Sequence, residues 1–375
     1  MTRLLRVVHV VPALFGEEGI FGGAERYALE LSRAMAEQAP TTLLAFGSAP
    51  GRKQVGPLSV QILRNWIHFR RFKFDPINPL MIRYLGNADV IHYHQTHTMM
   101  SSLALMYARA VGKPIFTSHL GGGGIALHHY VDVARWYAGH LHISEFSRRV
   151  FGHQDLANAK VIMGGVDPVK FCPDPNVRRT GEVLYVGRLL PHKGINYLIE
   201  AVDAATPLTI VGRRWRHARS FFEALLRLAA GKNVQIHQDY VDAAIIDAYR
   251  RALCIVLPSV HVTCSGEYYS IPELLGQTLL EGMACGTPAI STNICSLPEL
   301  VEDGVTGFLV PPNDAEALGV KIRWLQSHPA AARRMGEAAR QRVLERFTWS
   351  LVADRCLEAY REWGRRSAGP KSRCA

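Results

Sequence analysis

Glu273 and Glu281 bracket Gly276, Gln277, Thr278 and Leu279 in a 375-residue chain, and this stretch is the one best suited to chemistry. Gly276 permits a tight turn, Gln277 to Ala284 is predicted to form a short helix, and Gly286 with Pro288 ends it. A helix that opens on small residues presents backbone amides and a positive dipole end, which suits phosphate. Carboxylates beside a phosphate cradle would repel the phosphate, so Glu273 and Glu281 are read as acceptors of hydrogen bonds from hydroxyls. A nucleotide sugar carries both groups.

Cations for such a ligand stand in the loop Gly187-Arg188-Leu-Leu-Pro-His-Lys193-Gly194, which follows a predicted strand. A guanidinium forks onto two phosphate oxygens, and an ammonium is a mobile point charge near a leaving group. Such a pair in a strand-to-helix loop is otherwise simply solvated. No Asp-x-Asp occurs in the chain, which gives no support to a metal held by paired aspartates. Protein cations and helix amides would then take the charge, and no metal and no cofactor are expected. Arg213, after another predicted strand, is a further phosphate or base contact, with Arg214 beside it. Gly22-Gly23, before the helix predicted from Ala24, lets backbone approach a ligand or is only a tight turn. His119 ends a predicted strand and meets the glycine run Gly121 to Gly124. That run lacks a strict Gly-x-Gly-x-x-Gly, which makes a nicotinamide site the weaker reading.

These pieces resemble glycosyltransferase family 4, whose members are retaining enzymes of GT-B fold. The resemblance rests on the two glutamates and on Gly282-Met-Ala-Cys-Gly-Thr-Pro-Ala-Ile290. Pro298-Glu299-Leu-Val-Glu-Asp-Gly-Val-Thr-Gly-Phe-Leu-Val-Pro-Pro-Asn-Asp314 extends it, and it runs from Gly22-Gly23-Ala24-Glu25 to Phe347-Thr-Trp349. It implies transfer of a hexose-type sugar from a UDP- or GDP-sugar to a hydroxyl, with retention. It places Glu273 on donor hydroxyls, Glu281 on the ribose, and Arg188 and Lys193 on the diphosphate. The Gly22-Gly23 loop would face the donor phosphates and the acceptor, and His119 matches a family histidine. Asp167 falls on a motif at the interdomain crossing, where asparagine is more usual than Gly164; as plain sequence it is a turn residue. Arg214 replaces a glycine common in the family.

Strand and helix alternate twice, which predicts an α/β protein of two Rossmann-like, doubly wound parallel sheets facing a cleft, the GT-B arrangement. The first half has strands near Val7, Thr42, Ala88, Pro114 and His140. The second has them near Val183, Pro207, Val234, Cys254, Pro288 and Phe308. The expected parts are 1–172 (acceptor side), 173–346 (nucleotide-sugar side), a helix 347–363 crossing back to the first domain, and a loose basic tail 364–375.

Composition fits two cores: 48% hydrophobic and 20% charged residues. Seven scattered cysteines without Cys-x-x-Cys argue against a disulfide framework or structural zinc. The opening is read as a buried strand, not a signal peptide, and the cytosol is the expected compartment. The charge of +11, 43 basic against 32 acidic residues, points to an anionic partner. Nucleic acid is disfavoured because no recognition motif appears and the basic residues are dispersed. Arg64 to Phe74 interleaves basic and aromatic residues, read either as a contact with an anionic inner membrane face or as a buried edge. A lipid-linked glycan of cell-surface polysaccharide assembly is the expected acceptor; a small aglycone, or an epimerase or hydrolase of the same fold, is the alternative. His92, His94 and His97 cluster, but no fourth ligand of obvious spacing accompanies them, and structural or acceptor-side roles are preferred to zinc. The loop His261 to Ile271 would border the donor.

Overall fold

A computed structural model describes residues 4–14, 23–66, 76–121, 126–215, 218–238 and 242–367. The chain divides into two compact units, Met1–Gly165 with Trp349–Ala375, and Val166–Thr348. The break lies ahead of residue 172 because Val166 donates its N–H to the Phe347 carbonyl (2.8 Å) and bridges Thr348, which ties the crossing segment to the second unit.

The first unit contains β1 (Val7–Leu14), α1 (Gly23–Ala36), β2 (Thr41–Gly47), β3 (Gly51–Val55), β4 (Leu58–Arg64), α2 (Met81–Leu85), β5 (Val90–His94), α3 (Met99–Ala110), β6 (Ile115–Ser118), β7 (Gly139–His142), α4 (Glu145–Val150) and β8 (Ala159–Val161). Its eight strands run in the order β3-β4-β2-β1-β5-β6-β7-β8. All neighbours are parallel except β3 and β4, an antiparallel edge hairpin. That hairpin was not expected. Its edge strand Gly-Arg-Lys-Gln-Val buries none of its residues fully, so it lacks the apolar run that marks the central strands, and charged side chains protect the open edge. Every residue of β5 is buried, as a strand covered on both faces requires.

The second unit contains β9 (Val183–Val186), α5 (Ile195–Ala201), β10 (Leu208–Val211), α6 (Arg219–Ala229), β11 (Val234–His237), α7 (Asp242–Arg251), β12 (Cys254–Leu257), α8 (Gln277–Ala284), β13 (Ala289–Thr292), α9 (Leu297–Leu300), β14 (Gly307–Val310), α10 (Ala315–Ser327) and α11 (Pro329–Arg346). Its strand order is β11-β10-β9-β12-β13-β14, parallel throughout. Reversal of order at β9 and β12 creates the switch point where open α/β sheets bind ligands, beyond the strand carboxyl ends. α11 escapes a sequence reading because it buries only the narrow stripe Ala332, Met335, Gly336, Ala339 and Val343.

The last helix, α12 (Trp349–Ser367), packs in the first unit. Trp349 meets Tyr27 of α1 edge-on at 5.1 Å, and the Tyr360 hydroxyl lies 2.6 Å from His92 Nδ1. Gly139 is needed there: a Cβ would come within 2.5 Å of Trp363. No helix among the described residues is long and apolar enough to cross a membrane. Of the segment Arg64 to Phe74, residues beyond Trp66 lie outside the described residues.

Candidate functional site

In the second unit the strand ends and α8 assemble a charged cluster from distant positions. Lys193, in the turn after β9, places Nζ 2.7 Å from Glu273 Oε2 and 2.9 Å from the Pro272 carbonyl. Their side chains are only 8% and 16% exposed. Burial pushes the Glu273 carboxyl up, but the charge and hydrogen bond of Lys193, the charge of Arg188 and the Gly276 N–H together hold it below its ordinary value. Glu273 is therefore an anion ringed by cations and an amide at the start of a helix.

Gly276, the N-cap of α8, has φ 88° and, as a glycine, no side chain of its own with which to cap the helix. A Cβ there would stand 2.9 Å from Leu297 Cδ2. Gly276→Ala is accordingly expected to cost about 1–3 kcal/mol from left-handed strain alone, read as a lowered urea midpoint with unchanged slope. Gln277, Thr278 and Leu279 form the first turn of α8. Gly194 reverses the chain after Lys193 with φ 66°, pressed so closely on the Pro258 carbonyl that a Cβ would clash at 1.9 Å.

Arg188 and Arg213 are exposed and leave the ends of β9 and β10, where the Leu189 N–H bonds the Arg213 carbonyl at 3.2 Å. Arg214 turns over the Phe222 ring at 5.6 Å. Glu281 is 2% exposed and accepts a 2.9 Å hydrogen bond from the Tyr249 hydroxyl of α7. It thus has an internal orienting partner that spacing alone did not reveal.

Two further groups were missed. His192 is 9% exposed and lies 4.6 Å from the Tyr269 ring; burial and the charges of Lys193 and Arg188 lower it to about 4. Cys295 adopts φ 55°, a conformation that favours glycine, with Sγ 3.7 Å from His261 Nε2. Burial raises this thiol to about 11 despite a bond from the Glu273 backbone. The His261 to Ile271 loop contains a small antiparallel turn, in which His261 and Tyr269 exchange backbone and ring contacts at 2.7 and 2.8 Å.

In the first unit Gly22 lies outside the described residues, and Gly23 is the exposed first residue of α1. His119 is buried, 2.9 Å from Thr96 Oγ1 through Nδ1 and stacked on Phe151 at 4.0 Å. Burial, then the neighbouring histidines, hold it well below the ordinary imidazole value. Asp167 takes the turn role, accepting from the N–H groups of Val169 and Lys170 at 2.9 and 3.0 Å. The expected trio of His92, His94 and His97 is split. His92 and His94 join His9 of β1, whereas His97 joins His128 and His129. Register explains the first group, since His9 pairs with His92 across β1 and β5.

Two parallel α/β sheets with these connections define the GT-B class of fold, and comparison with known proteins agrees. The solved structure of Anabaena HepE with UDP and glucose superposes with a TM-score of 0.72 over 96% of this chain and 100% of that one, at 17% identity. Residues 176–342 match the family described as Glycosyl transferases group 1, and residues 21–169 match Glycosyltransferase Family 4. Alpha-maltose-1-phosphate synthase of Mycolicibacterium smegmatis is 30% identical over 328 residues, 75% of this chain and 81% of that protein. Glycogen synthase of Mycobacterium tuberculosis is 33% identical over 214 residues, 55% of this chain; the match spans 49% of the length of that relative. The chain belongs to glycosyltransferase family 4.

Proposed function

We propose that the chain transfers a hexose-type sugar from a UDP- or GDP-sugar to a hydroxyl acceptor with retention at the anomeric carbon. The observation that carries this reading is the Lys193–Glu273 pair at 2.7 Å beside the α8 amino terminus. Glu273 holds the Lys193 ammonium beside the α8 amino terminus. When a diphosphate enters, Lys193, Arg188 and the first amides of α8 turn to its oxygens, and Glu273 is released to accept from a sugar hydroxyl. Breaking the sugar–phosphate bond builds positive charge on the anomeric carbon and negative charge on the departing diphosphate. Cations held in place beforehand stabilise that second charge without reorganisation. With no Asp-x-Asp in the chain, the diphosphate is neutralised by protein groups and no metal enters this step.

Retention follows if the departing diphosphate draws the acceptor proton on the same face. Glu281, oriented by Tyr249, accepts from the ribose, and the net charge of +11 favours an anionic acceptor such as a lipid-linked glycan. Contact with the inner membrane face would follow from such an acceptor. Nucleotide sugars screened by thermal melting in EDTA test the reading, since a ligand that binds the native state raises its melting point. UDP- or GDP-sugars should stabilise the chain, and Tyr249→Phe should reduce the affinity by about tenfold through loss of one hydrogen bond to a charged group. No shift with any nucleotide sugar contradicts the proposal.

A further inference from the structure

The first unit carries a second constellation, to which the proposed transfer assigns no role. His97, His128 and His129 each offer a ring nitrogen, and these atoms all lie within 4.8 Å of one another. Ring centroids are 3.9 Å apart for His97 and His128 and 4.2 Å for His128 and His129. Both segments hang on one end of α3. Thr98, next to His97, caps that helix by accepting from the Ser101 N–H, and Ser102 Oγ accepts from the Leu127 N–H at 2.8 Å at the start of the short turn Leu127–His129. The three rings are thus fixed to one scaffold, as a ligand site demands.

We propose that His97, His128 and His129 bind a divalent transition-metal ion of the zinc class, with one coordination position left for water or a substrate oxygen. Three imidazoles with an open fourth position suit zinc, nickel and copper and do not suit magnesium or calcium. A tetrahedral zinc site sets its nitrogens about 3.3–3.4 Å apart, from bonds of about 2.0–2.1 Å, so small ring rotations close the group around the ion. His128 Nε2 is buried with no hydrogen-bond partner, a desolvated nitrogen that a metal bond would satisfy.

In the buried group His9, His92 and His94 only His94 Nδ1 is without a hydrogen-bond partner. His9 Nδ1 bonds His94 Nε2 at 2.8 Å, and both nitrogens of His92 are engaged, by Tyr360 and Ser118. The proposed ion would instead sit at the carboxyl ends of β5 and β6, among the loops where open α/β sheets take ligands. It stands independently of the sugar-transfer reading.

The test is a cobalt(II) titration of the untagged, chelator-treated chain, followed by visible absorption and by displacement with zinc. One cobalt per chain with an intense ligand-field band is expected. His129→Ala, at an exposed position, should weaken binding by at least about 10–100-fold, the loss typical even of a residue that only supports a ligand. His128→Gln should abolish the band while its circular dichroism stays that of wild type. Absence of the band in wild type, or equal affinity in wild type and His129→Ala, overturns the proposal.

Discussion

Lys193→Met is expected to lower kcat/KM for sugar transfer by about 10²–10³-fold, or about 2.7–4 kcal/mol, the loss typical of removing one preorganised charge-stabilising group. The same substitution should also destabilise the fold. Lys193 and Glu273 are nearly buried, and stranding one partner of such a pair costs about 3–5 kcal/mol, less here because Glu273 retains 16% exposure, Arg188 and the Gly276 N–H. The two effects can be separated. Lys193→Met combined with Glu273→Gln removes the stranded charge and should regain much of the lost stability, measured by urea unfolding. It should regain no activity, because neither the cation nor the carboxylate is restored. Recovery of transfer by the double variant would mean that Lys193 serves the fold alone.

A second large effect is acid unfolding of the first unit well above the usual carboxylate range. His9, His92, His94, His119, His140 and His142 are all buried, at 3% exposure or less. Burial is the leading cause that lowers each of them, to about 3 for His9, His140 and His142. The native state therefore binds fewer protons than the unfolded chain below the ordinary value of 6.5. Stability must fall as pH falls from 6.5, and the loss continues until the buried rings themselves charge near 3. Each such histidine contributes about 1.4 kcal/mol per pH unit, and three acting together about 4, against a total of about 5–15 kcal/mol for a typical domain. Hydrogen exchange resolved by peptide should show the first unit losing protection near pH 5 while the second, where His192 is lowered in the same way, retains it. Equal protection of the first unit at pH 7 and pH 5 would contradict this account.

Much of the architecture was legible because the central strands are short apolar runs. Val183–Val186 and Cys254–Leu257 are buried throughout, and glycine or proline punctuates their ends. The edge hairpin β3–β4 and the helix α11 were not legible. One strand is polar, and the helix buries only the narrow stripe Ala332, Met335, Gly336, Ala339 and Val343, so neither carries enough apolar contrast to reveal its period. At the candidate site, Glu273 and Gly276 were named from their types and loop positions, and Lys193 from its loop position together with the family resemblance. What the sequence could not show is that Lys193 and Glu273 touch across 80 positions, or that Tyr249 orients Glu281. Such contacts are created by the order in which parallel strands lie side by side. The histidines show the same limit: local spacing grouped His97 with His92 and His94, whereas strand pairing gives His9 to those two and a loop brings His128 and His129 to His97.

Calorimetric titration of UDP and of GDP into the chain in EDTA addresses the central claim most directly, because it asks whether the Lys193–Glu273 cluster holds a nucleoside diphosphate without metal. One of the two nucleotides should bind once per chain, and Lys193→Met should weaken that binding at least tenfold while His129→Ala leaves it unchanged. Binding of neither nucleotide, or identical affinity in wild type and Lys193→Met, would contradict the account.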